Sequence, residues 1–297
     1  MKAVQWLRAF SQFITVDSGL ALFVATILLS FLMAPKFDLF QACYLGLIIF
    51  CGWCGVDMLN NICDTEADAL SHPARAEIIR TLGVWTGIIA GLFLAIAFGL
   101  GFGTQNVLVM LLIVAAFSSG VLYSIPPFRL RQTILKPIMN LSVGVILALL
   151  VASFYSCFTV ATWLIVVLAG AATLSASLWD DVIDYEGDWK GGAKTMPVII
   201  GPKKGAYLSF LSSFSLLPLL FFIGIVFNLA GFYYLSLLLV AVGMLTKLIQ
   251  NRNILSTNFE QNEEAWINLM KTTFKNYDAL AFMQMLVLIF AVYLRQI

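Results

Sequence analysis

The most regular feature of the sequence is a succession of long apolar stretches separated by shorter polar segments. Nine stretches are long enough to cross about 30 Å of hydrocarbon as helices. They lie near residues 18–34, 39–58, 82–102, 106–122, 137–156, 160–178, 205–227, 231–249 and 277–295. The pattern predicts an all-α fold, a polytopic membrane bundle of about nine transmembrane helices in which residues 1–297 form one domain.

The composition agrees with a lipid environment. Hydrophobic residues make up 61% of the chain and charged residues 11%, and the mean hydropathy is +0.95. Soluble domains are about half apolar and about a quarter charged, so the lipid bilayer is the first predicted partner. The net charge of +1 provides no broad basic surface, and no nucleic-acid partner is expected.

Lys and Arg residues are distributed unequally between the two ends of the predicted spans. Of 17 such residues, only Lys36 and Arg295 fall on one side. The others lie at the N-terminus or after the second, fourth, sixth and eighth spans. The positive-inside rule places that side in the cytoplasm and the C-terminus on the opposite side. Most acidic residues follow the same partition, so the candidate chemistry belongs to the cytoplasmic face.

Two acidic segments of similar sequence, residues 60–68 and 180–188, follow the second and sixth spans. Each has oxygen-bearing side chains at positions i, i+4 and i+8, which share one face of a helix. These are Asn60, Asp64 and Asp68 in the first segment and Asp180, Asp184 and Asp188 in the second, where Asp181 is a further acid. Carboxylates gathered near a membrane repel one another unless a divalent cation neutralises them. The segments therefore predict a Mg²⁺ site.

Basic and hydroxyl side chains follow the same spans and the fourth. They are Arg75, Arg129, Lys190, Lys194, Tyr123 and Ser124. Cations neutralise the charge that develops on a departing phosphate group, and hydroxyl groups add hydrogen bonds. A soluble nucleotide would not need nine lipid-embedded helices, so the favoured substrate is a diphosphate with a long hydrocarbon tail. The expected reaction is cleavage of an allylic carbon–oxygen bond with loss of diphosphate.

Several short motifs occur together between about residues 45 and 205. NDxxDxxxD is matched by Asn60, Asp64 and Asp68, DxxxD by Asp184 and Asp188, HPxRP by His72, Pro73 and Arg75, YSxPPxR by Tyr123, Ser124, Pro126, Pro127 and Arg129, and GDxxxGxxT(L/M)P by Gly187, Asp188, Gly192, Thr195, Met196 and Pro197. Each motif alone is weak. Their joint occurrence after alternate spans resembles the UbiA superfamily of integral membrane prenyltransferases.

This resemblance implies a bundle around a central cavity and a Mg²⁺-dependent enzyme. The implied catalytic residues are Asp64, Asp68, Asp184 and Asp188, which with Asn60 would hold two Mg²⁺ ions that bridge the diphosphate of a prenyl donor. The implied diphosphate-binding residues are Asn60, Arg75, Tyr123, Ser124, Arg129, Lys190 and Lys194. Asp180 and Asp181 are alternatives for the outer metal ligand.

Two departures from the family pattern concern the start of the chain and the first acidic segment. Asn61 stands where the family often has Asp. Residues 14–17 read Ile-Thr-Val-Asp, where many members have an Arg-Pro-x-Asn-like sequence that helps to shape the acceptor pocket. The identity of the hydrophobic acceptor therefore stays open.

Two enzymatic functions share the predicted metal site. The first is transfer of a prenyl group to an external acceptor, either an aromatic ring or a lipid alcohol. The second is a UbiA-type terpene cyclase, in which the allylic cation is captured within the same molecule. A transporter is a third class, but acids at helix ends rather than in mid-span count against it.

Other polar residues have non-catalytic interpretations. Arg131, Lys136, Lys203 and Lys204 are interpreted as topology-setting or lipid-headgroup charges. Trp266, Leu269, Met270 and Phe274 have helical spacing and indicate either an interfacial helix or an early start of the last span. Pro126 and Pro127 predict that the fourth span ends abruptly and is followed by an extended segment.

Overall fold

The computed structural model describes residues 3–66, 73–256 and 263–296, and within these ranges every regular element is helical. The α-helices are α1 (Ala3–Ile14), α2 (Val16–Met33), α3 (Leu39–Cys63), α4 (Pro73–Leu82), α5 (Val84–Gly103), α6 (Val107–Ser124), α7 (Lys136–Phe154), α8 (Val160–Ile183), α9 (Tyr185–Lys190), α10 (Met196–Ile200), α11 (Pro202–Phe214), α12 (Leu216–Val226), α13 (Gly231–Ser256) and α14 (Glu263–Gln296). A short 3-10 helix, Leu130–Gln132, precedes α7. The predicted all-α class is confirmed.

Nine helical spans in the described ranges have the length and hydropathy needed to cross a membrane. They are Val16–Met33, Leu39–Cys63, Val84–Gly103, Val107–Ser124, Lys136–Phe154, Val160–Ile183, Pro202–Val226, Gly231–Gln250 and Glu264–Gln296. Large apolar side chains on these spans are exposed, as with Leu111 at 60% and Leu239 at 64%. Such extended apolar surface is stable in lipid rather than in water. The chain is an integral, multi-pass membrane protein, as predicted.

The last span begins earlier than its most apolar part. The segment after residue 263 continues without interruption to Gln296, so it is not a separate interfacial helix. Trp266 and Met270, about one turn apart, are buried in the same apolar cluster as Trp179. Of the two interpretations of this segment, the early start of the last span is confirmed.

Backbone packing divides the chain into two compact units, each of which is described by itself. Unit 1 comprises Met1–Arg129 and Ile146–Phe158, and unit 2 comprises Leu130–Val145 and Thr159–Ile297. Helix α7 therefore contributes residues to both units. The single domain expected from the sequence stays a prediction.

In unit 1, α3 packs closely against α2 and α5. Gly55 permits the contact with α5, because a Cβ atom there would lie 2.7 Å from Leu94 Cγ and 3.2 Å from the Ala90 carbonyl oxygen. Small residues at helix contacts allow backbones to approach in this way. Phe13 of α1 and Met58 of α3 are buried in one cluster beside this contact. The cluster fixes the end of α3, which leads into the first acidic segment.

In unit 2, the end of α8 is fixed by an aromatic cluster. The Trp179 side chain is buried, and its indole N–H donates to Ser213 Oγ at 2.9 Å. Its ring centroid lies 4.9 Å from that of Phe210 and 5.7 Å from that of Tyr277. A large buried ring whose polar N–H is hydrogen-bonded holds the backbone that carries it in place. The residues that follow Trp179, Asp180 and Asp181, therefore have a well-defined direction.

Candidate functional site

The first acidic segment starts on the last turn of α3 and continues past a change in backbone conformation. Asp64 follows the final residue of α3 with φ −101° and ψ 5°. Its N–H still donates to the Asn60 carbonyl oxygen at 3.0 Å, so the two residues keep the expected one-turn relation. Asn60 is half-buried and Asp64 is buried. Asp68 and His72 lie outside the described residues, and their predicted roles stay predictions.

The Arg129 guanidinium contacts the Asp64 carboxylate directly. The Nη2–Oδ1 distance is 2.5 Å, and 30% of the Arg129 side chain and 1% of the Asp64 side chain are exposed. A buried carboxylate needs such a partner, because isolated charge is costly away from water. The sequence predicted Asp64 as a metal ligand and Arg129 as a diphosphate ligand. The structure brings one residue of each kind together.

A turn after α6 carries Arg129 to this contact. Helix α6 ends at Ser124, as predicted from the proline pair, and Ile125 is extended. The expectation that the following segment is extended is wrong, because residues 126–128 form a turn and the Arg129 N–H donates to the Ile125 carbonyl oxygen at 3.1 Å. Proline is compatible with turns as well as with extended backbone. Arg129 itself has a positive φ of 41°, a conformation that is uncommon outside glycine.

Three further predicted diphosphate ligands belong to unit 1. Ser124 is buried, and its Oγ makes no hydrogen bond within the described ranges. Buried hydroxyl groups are usually hydrogen-bonded, so this Oγ remains available to a ligand. Tyr123 precedes it on the last turn of α6 and is half-buried. Arg75 lies on the first turn of α4 and is also half-buried.

Asn61, a departure from the family pattern, joins the first acidic segment to the start of the chain. Its Nδ2 donates to the Phe13 carbonyl oxygen at 3.0 Å, and 2% of the residue is exposed. Thr15, two residues after Phe13, separates α1 from α2 and has a φ of 56°. An ionised Asp has no proton to donate. Asparagine at position 61 therefore makes a contact that an ionised aspartate would not.

The second acidic segment has the same local conformation as the first. Asp184 follows the last residue of α8 with φ −91° and ψ 5°. Its N–H donates to the Asp180 carbonyl oxygen, and the Asp188 N–H donates to the Asp184 carbonyl oxygen, both at 2.9 Å. The i, i+4, i+8 relation predicted from the sequence is thus preserved across the helix break. Asp180 and Asp184 are exposed, and Asp188 is half-buried.

Thr195 is a site residue whose contact sequence reasoning did not identify. Its hydroxyl donates to Asp188 Oδ2 at 2.9 Å, and the residue is fully buried. The Ala193 N–H donates to the Asp188 carbonyl oxygen at 2.9 Å, and Gly192 has a φ of +73° that suits glycine. The available signal was the threonine of the GDxxxGxxT(L/M)P motif. These contacts hold the predicted ligand Asp188 from both its side chain and its backbone.

Lys136, interpreted from the sequence as a topology or headgroup charge, lies in the protein interior. Its Nζ is 2.5 Å from Asp181 Oδ1, with 14% of the lysine side chain and none of the aspartate side chain exposed. The two neighbouring acids therefore differ, because Asp180 is exposed and Asp181 is buried. Hydropathy does not predict this pairing, because Lys136 is the first residue of an apolar helix, where a lysine is also expected at the membrane surface.

Lys190 and Lys194 lie at the surface of unit 2. Lys190 pairs with Glu186, four residues earlier on α9; the lysine side chain is largely exposed and the glutamate side chain is partly exposed. Lys194 is exposed, and its backbone N–H donates to the Gln132 carbonyl oxygen at 2.7 Å. Exposed lysine side chains on flexible stems are able to reach a phosphate group. Their predicted role in diphosphate binding stays a prediction.

The Asp184 carboxyl lies just beyond the membrane-spanning part of α8. Part of the residue is exposed, but the surrounding protein removes some of the water around the carboxyl. This desolvation raises the pKa of the carboxyl above its ordinary value. The positive charge of Lys136 lowers the pKa, the negative charge of Asp188 raises it, and the positive charge of Lys271 on α14 lowers it. The two lysines thus offset part of the effect of burial on this carboxyl.

The side chains fit a Mg²⁺ ion whose coordination is completed by a substrate. Within the described ranges, no group of three or more His, Cys, Asp or Glu side chains is arranged to hold a metal ion by itself. Mg²⁺ is commonly bound by one or two carboxylates, with waters and phosphate oxygens in the remaining positions. Asp64 in unit 1 carries oxygen atoms of this kind, and so, separately, do Asp184 and Asp188 in unit 2; their role as metal ligands stays a prediction.

Two curated relatives share one name. The chain is 30% identical over 173 residues to digeranylgeranylglyceryl phosphate synthase of Thermococcus gammatolerans, covering 55% of this chain and 58% of that protein. It is 28% identical over 193 residues to the synthase of the same name from Thermococcus kodakarensis, covering 59% and 62%. The chain thus matches about three fifths of the length of these curated relatives.

Solved structures share the fold over almost the whole chain. A digeranylgeranylglyceryl phosphate synthase superposes with a TM-score of 0.74 at 15% identity, covering 97% of this chain and 98% of that chain. A UbiA homologue from Archaeoglobus fulgidus bound to GPP and Mg²⁺ superposes with a TM-score of 0.64 at 17% identity, covering 93% and 99%. At these identities the likeness concerns the fold. A model of the UbiA prenyltransferase family matches residues 21–274, and the chain belongs to that family.

Proposed function

We propose that this protein is a Mg²⁺-dependent membrane prenyltransferase that transfers a prenyl group from an allylic prenyl diphosphate to a hydrophobic acceptor. The observation that carries the proposal is the direct contact between Asp64 and Arg129. One residue belongs to the acidic segment, and the other belongs to the proline-rich turn 65 residues later. A carboxylate and a guanidinium held together at the end of a membrane span suit a metal ion and a phosphate group.

The proposed metal ligands belong to the two acidic segments. They are Asn60, Asp64 and Asp68 in the first, and Asp184, Asp188 and either Asp180 or Asp181 in the second. The proposed diphosphate ligands are Arg75, Tyr123, Ser124, Arg129, Lys190 and Lys194. Bound Mg²⁺, proposed as two ions, would supply charge neutralisation for the diphosphate. The A. fulgidus homologue has been observed with GPP and Mg²⁺ and with DMAPP and Mg²⁺, which supports this assignment.

The chain's own residues contribute chiefly to departure of the diphosphate. The allylic carbon–oxygen bond breaks, and its electron pair leaves with the diphosphate, where cationic and hydroxyl side chains bind the developing charge. The nucleophilic atom of the acceptor then bonds to the allylic carbon and loses its proton. The apolar helices provide a place for the prenyl chain, which would not be soluble in water.

A lipid alcohol is the favoured acceptor. Both curated relatives are named digeranylgeranylglyceryl phosphate synthase, as is one of the structural neighbours. The name describes a lipid in which prenyl groups are attached to glyceryl phosphate. We propose that the acceptor is a glyceryl phosphate lipid with a free hydroxyl group rather than an aromatic ring.

The cytoplasmic face is the proposed location of the reaction. The distribution of Lys and Arg residues supports a cytoplasmic N-terminus and cytoplasmic acidic segments. The end of α14 would then lie on the opposite side of the membrane. Both substrates would keep their charged groups in water at that face and their chains in the bilayer.

The test is an assay of diphosphate release by the purified protein in lipid nanodiscs. Geranyl, farnesyl and geranylgeranyl diphosphates are supplied in turn, with Mg²⁺ or with a chelator, and with or without geranylgeranylglyceryl phosphate. The expected result is Mg²⁺-dependent release that requires the acceptor and yields a lipid heavier by one prenyl group. Release of a terpene hydrocarbon or alcohol without acceptor would instead support a cyclase, and no release with any donor would contradict both.

A further inference from the structure

The buried ion pair between Lys136 and Asp181 distinguishes the two adjacent acids that begin the second acidic segment. We infer that Asp181 is a positioning residue, which with Lys136 fixes the end of α8 so that Asp180 presents the outer metal-binding carboxylate. The inference deepens the proposed function and rests on it. It also gives Lys136 a role in the protein interior rather than at the lipid headgroups.

Burial separates the two acids. None of the Asp181 side chain is exposed, and both of its carboxylate oxygens are buried. A Mg²⁺ ion that carries waters and phosphate oxygens needs an accessible carboxylate. Asp180 is exposed and meets that condition. Asp181 Oδ2 makes no hydrogen bond within the described ranges, so Lys136 is the charge that compensates Asp181.

Helical geometry leads to the same assignment. The Asp184 N–H donates to the Asp180 carbonyl oxygen, and the Asp188 N–H donates to that of Asp184. Residues four apart in such a hydrogen-bonded series lie on one face, whereas adjacent residues point in different directions. Asp180 therefore shares the face of Asp184 and Asp188. Asp181 points away from it, toward α7.

Two further contacts show that the Lys136–Asp181 pair is part of a regular junction between α7 and α8. Asn140 lies four residues after Lys136 on α7, and Ser177 lies four residues before Asp181 on α8. Asn140 Nδ2 donates to Ser177 Oγ at 2.8 Å. Four residues further along α7, a Cβ atom on Gly144 would lie 2.7 Å from Thr173 Oγ1 on α8 and 2.2 Å from the Ala169 carbonyl oxygen. The helices thus run antiparallel in close contact at this junction. Sliding one along the other would break all three contacts together.

Lys136 also acts on the ligand face itself. Its charge interacts with Asp180 and Asp184 as well as with Asp181. One largely buried cation therefore offsets part of the repulsion within the acidic segment. Removing Lys136 alone would leave the Asp181 carboxylate buried without compensation, which is strongly unfavourable.

The experiment compares Lys136→Met, Asp181→Leu and the double variant that carries both changes. Asp180→Asn is measured beside these three variants. Lys136→Met leaves the buried Asp181 carboxylate without its lysine, and Asp181→Leu removes this carboxylate from Lys136, whereas the double change replaces both members of the pair with apolar groups. We expect each single variant to lose about tenfold or more in diphosphate release and to unfold at a lower temperature, and the double variant to recover most of both. Asp180→Asn should unfold as the wild type does and require a higher Mg²⁺ concentration.

Two outcomes overturn the inference. One is a double variant that stays as inactive as the Asp181 single variant although it unfolds at the wild-type temperature. The other is a Mg²⁺ requirement that changes with Asp181 and not with Asp180. If the wild type releases no diphosphate from any donor, the proposed function fails by itself. The role of the pair is then tested by comparing the unfolding temperatures of the single and double variants. A second test is the rise in unfolding temperature that Mg²⁺ with pyrophosphate produces. Asp180→Asn should lose this rise, and the double variant should keep it.

Discussion

At the residue scale, Asp64 is a predicted metal ligand that is buried and already paired. Arg129 provides its charge partner at 2.5 Å. The sequence predicted that both residues matter, since each belongs to a recognisable motif. It did not predict their direct contact, because the turn that carries Arg129 back depends on the backbone conformation after the two prolines.

Replacing Arg129 by Met should reduce both activity and stability. Loss of the guanidinium removes a charged partner from the buried Asp64 carboxylate, at a cost of about 1–3 kcal/mol in the free energy of unfolding. Diphosphate release should fall by about a hundredfold, because a donor to the leaving group is lost as well. Unfolding in detergent and the release assay measure the two effects. The matched control is Arg80→Met, which breaks an exposed pair with Glu66 and should change neither property appreciably.

The contact of Thr195 with Asp188 supports a second prediction at this scale. Thr195→Val keeps the shape of the side chain and removes the hydroxyl that donates to Asp188 Oδ2. The carboxylate is then less well oriented, so the Mg²⁺ concentration that gives half-maximal activity should rise several-fold. Thr195→Ser keeps the hydroxyl and should behave nearly as the wild type. Equal Mg²⁺ requirements in Thr195→Val and the wild type would show that this hydrogen bond does not orient a metal ligand.

At the element scale, the membrane helices follow directly from the sequence, because the thickness of the bilayer sets the length of each apolar run. The breaks that matter for the site do not. Asp64 and Asp184 both leave regular helical geometry at the same point of their segments, with φ −101° and −91° and ψ 5°. The motif spacing alone is compatible with an unbroken helix. The contacts that hold the break of the second segment, those of Thr195 and Ala193 with Asp188, come from residues further along the chain.

The junction of α1, α2 and α3 gives a prediction at this scale. Asn61→Asp would place a buried carboxylate against the Phe13 carbonyl oxygen, where Asn61 now donates a hydrogen bond. Two acceptors face each other in that variant, so it should lose about 1–3 kcal/mol of unfolding free energy unless the carboxyl is protonated. Thermal unfolding at neutral and at acidic pH would detect the loss and its partial recovery. Asn268→Asp, an exposed change on α14, is the control. An unaltered unfolding temperature for Asn61→Asp would remove the proposed link between the chain start and the first acidic segment.

At the scale of the whole molecule, the number of spans and their order could be predicted from hydropathy, and the structure agrees with both. The assignment of Lys136 to lipid headgroups did not anticipate its interior partner. Its position at the start of an apolar helix is shared by lysines that set topology and by lysines that compensate a buried acid. Only the packing of α7 against α8 distinguishes these two cases.

Membrane topology is the prediction that belongs to this scale. In a variant without its native cysteines, Lys204→Cys and Lys36→Cys each introduce one exposed thiol. A maleimide that does not cross membranes should label position 204 only from the cytoplasmic side and position 36 only from the opposite side, as the charge distribution predicts. Labelling of both positions from one side would contradict the nine-span topology.

The central claim is that the two acidic segments serve one Mg²⁺-dependent reaction on a prenyl diphosphate. Its most direct test is the rate of diphosphate release by Asp64→Ala and Asp184→Ala, each reconstituted in nanodiscs and shown to be inserted and folded. Both variants should fall below about one hundredth of the wild-type rate, because each loses a carboxylate proposed to hold the metal that stabilises the leaving group. Turnover near the wild-type rate in either variant would contradict the claim.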